Sequence, residues 1–139
     1  MNSITITGNI TRAPELKTLG SKANVKVGVA VNRRFQKNGE WEEVTSYFDV
    51  IAWGTLAENV STSLTKGSAI IVTGRLDQRS YDDKDGNKRT VFEIVADAIG
   101  PDLTRQVATV ERVGNSLTTA NARAAAQSLV NAGWSEEPF

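Results

Sequence analysis

Five stretches of this chain alternate apolar and polar residues, and only once does that rhythm give way to a spacing of four. A period of two sends successive side chains to opposite faces, so each stretch predicts a half-buried strand. In SITITGNIT, Ile4, Ile6 and Ile10 fall on one side, and VKVGVAVNRRF groups Val25, Val27, Val29 and Val31. TSYFDVIAW sets Phe48, Val50 and Ala52 against Tyr47, Asp49, Ile51 and Trp53. SAIIVTGRLDQRSY sets Ile70, Val72 and Leu76 against Ile71, Thr73, Arg75, Asp77, Arg79 and Tyr81, and KRTVFEIVADAIG groups Phe92, Ile94 and Ala96. Asn38-Gly39 predicts a type I′ hairpin turn, whose two central residues take positive φ, and Asp85-Gly86 predicts a second hairpin tip. Between the first two strands, Pro14 in RAPELK interrupts pairing and LGSKAN reads as a loop.

The interruption is GTLAENVSTSLTKG, where Leu56, Val60 and Leu64 recur every fourth residue and Gly67 stands at the expected C-cap: a short amphipathic helix. The resulting order, three strands, a helix and two strands, is that of the five-stranded OB-fold barrel, although alternation alone also fits another small barrel or an open sheet. Beyond GPDL large apolar residues become sparse, and TTANARAAAQSLVNAG has the pattern of a weak helix ending at Gly133. The expected division is therefore a barrel over residues 1–103, a linker with weak helical potential over 104–133, and a tip over 134–139.

Chemistry is constrained by what is missing. The sequence has no cysteine and no histidine, which removes disulfides, thiolate nucleophiles, imidazole bases and most transition-metal sites. Neither a membrane span nor a signal segment is visible, so a soluble cytoplasmic protein is expected, with no enzymatic activity and no cofactor. Sixteen basic side chains balance sixteen acidic ones, so attraction to a polyanion has to come from local arrangement. Asp82, Asp83 and Asp85 cluster at a hairpin tip but lack the calcium-loop ligand pattern and read as solvated turn residues.

The scarce aromatics are informative. Phe48 and Phe92 share the apolar parity of their strands and read as core, whereas Tyr47, Trp53 and Tyr81 take the opposite parity beside Arg75 and Arg79. Phe35 follows Arg33 and Arg34, and Trp41 lies in a hairpin arm beside Lys37. Aromatics interleaved with cations on a barrel face suit unpaired nucleic acid, where rings stack on bases and cations follow phosphates. The same pattern fits a subunit contact equally well.

ITITGNITRAPELK, YFDVIAWGTLAENVSTSLTKGSAIIVTGRL and RTVFEIVADAIG resemble the strand-one, central and last-strand segments of the bacterial single-stranded DNA-binding protein family, and WSEEPF is similar to that family's acidic tip. The resemblance implies an OB-fold homotetramer, nucleoid-associated in the cytoplasm, that coats single-stranded DNA during replication, recombination and repair. It implies stacking by Phe35, Tyr47, Trp53 and Tyr81 and backbone contacts by Lys66 and Arg79; Trp41, Arg33, Arg34 and Arg75 complete the expected DNA-binding set. It further implies that Glu136, Glu137, Pro138 and Phe139 dock on partner enzymes, the phenylalanine in an apolar pocket and the carboxylates on its basic rim. Asp49 departs from the pattern, standing where relatives can carry a cation. A different expectation, from the neutral charge and Asp49, is an OB-fold protein-interaction module with little DNA affinity.

Overall fold

The computed structural model describes residues 1–113. Six strands and one helix follow one another as β1 (Ile4–Ile10), β2 (Glu15–Leu19), β3 (Lys22–Lys37), β4 (Glu40–Trp53), α1 (Gly54–Ser63), β5 (Ala69–Asp82) and β6 (Lys88–Pro101). The sheet runs β1-β5-β6-β4-β3-β2, and an additional β1–β3 pairing closes β1, β5, β6, β4 and β3 into a five-stranded barrel. Closure rests on two short contacts, Asn9 and Ile10 with Ala30 and Val29, and the parallel pairs Val50–Ile94 and Ile51–Val95. The expected OB-type barrel is the observed one.

Alternation drives the packing. Ile6, Ile10, Val25, Val27, Val29, Val50, Ala52, Ile70, Val72 and Ile94 fill the barrel, and α1 adds Ala57 and Val60, with Leu56 and Leu64 packed against them. Burying a Val or Ile side chain contributes roughly 1.5–3 kcal/mol, so this cluster is the main source of stability. A register shift at Thr73/Gly74 leaves Asp97 as an extra residue on β6, so Ile94, Ala96 and then Ile99 all pack inward. Gly74 permits that corner, because a Cβ there would collide with the backbone carbonyl of Val95.

Three local expectations change. Glu15–Leu19 is a strand, paired with Lys22–Lys26 around a tight Gly20-Ser21 turn; all five of its residues are exposed, so no apolar alternation announced it. The helix ends at Ser63, with Leu64 extended as its C-cap, and Gly67 (φ +90) lies in the following turn, donating to the Ile10 carbonyl at 2.8 Å. Phe92 is not core: it is 56% exposed, because β6 at that point has left the barrel. The Asn38-Gly39 turn has both φ values positive, as expected. The weak helix over TTANARAAAQSLVNAG and the tip Trp134–Phe139 lie outside the described residues.

Candidate nucleic-acid interface

Register pairs place side chains on a common side of the sheet, so the faces can be read strand by strand. Lys26 pairs with Ile51, Ile51 with Val95 and Val95 with Arg75, one row across β3, β4, β6 and β5. Two residues further toward the hairpin tips come Gly28–Asp49 and Glu93–Asp77, then Ala30–Tyr47 and Val91–Arg79, then Arg89–Tyr81. In the other direction Trp53 pairs with Asn24 at the foot of β4. Trp53, Tyr47, Tyr81, Arg75 and Arg79 therefore share the outer face of the barrel, as the alternation predicts, and all are exposed.

Trp41 joins that face near the β3–β4 tip, where the Arg34 guanidinium lies 5.6 Å from its ring centroid. Phe35 and Arg33 do not. The unbroken register puts them opposite Glu42 and Val44, on the side that continues the core face beyond the barrel, with Arg33 5.4 Å from the Phe35 ring. The β3–β4 ribbon thus carries a cation–π pair on each side, and the expected DNA-binding set divides between them. Lys66 precedes Gly67 in the α1–β5 turn, and Asn9 donates to the Gly67 carbonyl at 3.1 Å. Asn9 pairs with Ala30, which pairs with Tyr47, so Lys66 stands at the β1 end of the tyrosine row.

Charge on the outer face is less simple than the sequence implies. Glu93 receives Arg79 Nε on Oε1 at 3.3 Å and Lys26 Nζ on Oε2 at 3.9 Å. Sequence reasoning missed both Lys26 and Glu93. Lys26 follows the alternation of VKVGV as its polar member, which marks it for this face, whereas the role of Glu93 depends on three strands converging. At the β5–β6 tip, Asp83 is a turn residue that also organises the turn: its Oδ1 accepts from the amides of Asp85 and Asn87, and its Oδ2 accepts from Arg89 Nε at 2.9 Å. The Arg89 contact, then the Asn87 amide, hold its carboxyl below the usual aspartate value. This braces Arg89 beside Tyr81.

Immediately after β6, residues 102–106 stay on the barrel. Gln106 Nε2 donates to the carbonyls of Ala69 at 2.8 Å and Asp102 at 2.7 Å, and this segment borders a cleft of about 540 Å³ that also involves Asn9, Asn32 and Gly67. The Thr104 hydroxyl, and then its amide, lower the pKa of Asp102 at the cleft's rim. Among the described residues no group of three His, Cys, Asp or Glu is placed to hold a metal ion.

The arrangement offers flat rings and cations along one exposed surface, and the chain as a whole is similar to known proteins. The model of the single-strand binding protein family matches residues 1–102. The single-stranded DNA-binding protein of Corynebacterium glutamicum is 43% identical over 121 residues, covering 82% of this chain and 54% of that protein. That of Mycobacterium leprae is 43% identical over 118 residues, covering 82% and 70%. The chain thus spans about half the length of the first relative. The crystal structure of the small single-stranded DNA-binding protein from Streptomyces coelicolor superposes with a TM-score of 0.65 at 36% identity, covering 76% of this chain and all of that one. With a family model matching the barrel from end to end, the chain belongs to the single-strand binding protein family.

Proposed function

We propose that this protein binds single-stranded DNA without sequence preference on the outer face of its barrel. One observation carries the reading: Trp53, Tyr47 and Tyr81 are exposed on the same face as Lys26, Arg75 and Arg79, in a chain whose family and relatives are named for binding single strands. Every base has a π-face, so stacking on these rings tolerates any sequence and contributes on the order of 1–3 kcal/mol per base. Cations along the rows take the phosphates, and Trp41 with Arg34 extends the track toward the β3–β4 tip. Lys66 adds a contact at the β1 side, and Phe35 with Arg33 engages strand that passes to the other side of the ribbon. Binding of this kind needs no bond-making step and no cofactor.

In this reading the protein coats exposed strands during replication, recombination and repair in the bacterial cytoplasm. It works as a homotetramer, in which four linked sites turn weak contacts into tight ones. Residues 1–103 are the DNA-binding unit, 104–133 the linker, and 134–139 the recruiting tip, with Phe139 and Pro138 as apolar anchors and Glu136 and Glu137 on a basic rim. Titration with oligo-dT while following tryptophan fluorescence tests the binding: saturable quenching is expected, and its absence rejects it. Deleting Pro138 and Phe139 tests the tip. Partner enzymes should be lost from a pull-down while oligo-dT affinity holds.

One observation favours the second reading, an interaction module with little DNA affinity. Glu93 occupies two of the cations that DNA would use. The same titration decides between them.

A further inference from the structure

Of the three carboxylates that cross the outer face at one level, Glu93 differs in its contacts. Glu93 and Asp77 are a register pair, and Asp49 precedes Val50 just as Glu93 precedes Ile94 in the adjoining parallel pair. Cations stand on both sides of that level, Lys26 and Arg75 toward the barrel foot and Arg79 and Arg89 toward the tips. Only 13% of the Glu93 side chain is exposed, against 44% for Lys26 and 60% for Arg79, and its two oxygens face one cation each. A carboxylate oxygen and a phosphate oxygen ask for the same donors. The contact to Arg79 uses Nε, one of several guanidinium donors, so the rest of the fork can still take a phosphate.

Resting on the proposed DNA-binding function, we infer that Glu93 is an internal competitor for DNA phosphate, which pre-positions Lys26 and Arg79 and limits how many phosphates this face neutralises. Two cations and one anion leave the cluster with a single net positive charge, enough to neutralise one phosphate instead of two. Salt dependence counts neutralised phosphates, with a slope of log affinity against log salt of about −0.7 per phosphate for single strands. Glu93 therefore flattens the salt dependence and keeps the bound strand exchangeable at low salt. This assigns the largely shielded carboxylate a role in setting affinity, which the general design of a basic groove does not require.

The experiment measures oligo-dT affinity of the full chain from low to high salt for the parent, Glu93→Gln, Lys26→Gln/Arg79→Gln, and the triple variant. Glutamine keeps the size of glutamate and one acceptor oxygen, while removing the charge and turning the second oxygen into an NH2 donor. Glu93→Gln should bind several-fold more tightly at low salt, with the gain shrinking as salt rises and the slope steeper by about 0.7. In the triple variant that steepening should disappear, because the cations it releases are gone. Equal slopes for Glu93→Gln and the parent, or weaker binding at every salt, overturn the inference. A steepening that persists without Lys26 and Arg79 also overturns it, since a diffuse charge effect would then suffice. Failure of the parent itself to bind oligo-dT rejects the proposed function instead, so the two failures are distinguishable.

Discussion

Inside the barrel and along the arms that project from it, the same strands obey the same alternation and end in opposite circumstances. Val27, Val50 and Ile94 form a row across β3, β4 and β6 and are almost wholly buried. The row continues to Leu76 on β5, which is 38% exposed, and toward the tips the same side carries Phe92, Val44, Arg33 and Phe35. Closure makes the difference. Where β4 meets β6 the sheet curves round and one face sees only other side chains. Core packing continues to Val29, Val31 and Phe48 on β3 and β4 but stops at Ile94 on β6, and nearer the tips neither hairpin has a described layer against either face. Alternation therefore states which residues share a side, and only the three-dimensional path states whether that side is covered.

The strongest way to sharpen this contrast is Ile94→Ala against Val44→Ala. The first opens a cavity in the closed barrel and should cost about 2–5 kcal/mol of stability. The second should change stability by less than about 0.5 kcal/mol, as surface substitutions do. Chemical denaturation measures both, and similar losses would mean that the arms are packed after all. Next in size are Tyr47→Ala and Tyr81→Ala, each expected to weaken oligo-dT binding by about 1–3 kcal/mol with unchanged denaturation midpoints. Lost stability with retained binding would move these rings from the DNA face to a structural contact.

A smaller effect is expected from Arg79→Ala, which removes one phosphate partner and should flatten the salt slope by about 0.7. An unchanged slope would mean that Arg79 serves Glu93 alone. The smallest concerns the β5–β6 tip. Asp83 has its folded pKa depressed, so its contribution is fully present above the ordinary value of 3.8 and is lost as pH falls below that through the folded value. A carboxyl NMR titration should place its midpoint under 3.8, and Arg89→Gln should raise it. A midpoint insensitive to Arg89 would leave the tip held by its backbone contacts only.

Much of this was legible in the sequence. The period-two segments and the single helical interruption specify the barrel order, and Asn38-Gly39 specifies its turn by backbone chemistry. Parity alone put Trp53, Tyr47, Arg75 and Arg79 on one face. What escaped has physical reasons. β2 escaped because an edge strand with every residue exposed needs no apolar alternation, and Phe92 was misread because parity carries no information about where a barrel ends. The split of Arg33 and Phe35 from Trp41 follows from register, which depends on the turn joining the strands. Glu93 was invisible because Lys26 on β3 reaches it only through the β4–β6 closure, although Arg79 lies across the β5–β6 hairpin.

The central claim is that single-stranded DNA uses the outer face, and two exposed aromatics on opposite sides of the sheet test it most directly. Trp53 and Phe92 both offer a solvent-exposed ring, the first on the face with Tyr47 and Arg75, the second on the face that continues the core. Trp53→Ala and Phe92→Ala are compared by oligo-dT titration at fixed salt, with thermal unfolding to confirm that both are folded. The account predicts that Trp53→Ala loses about 1–3 kcal/mol of affinity and that Phe92→Ala binds as the parent does. Equal losses, or a loss confined to Phe92→Ala, would contradict it.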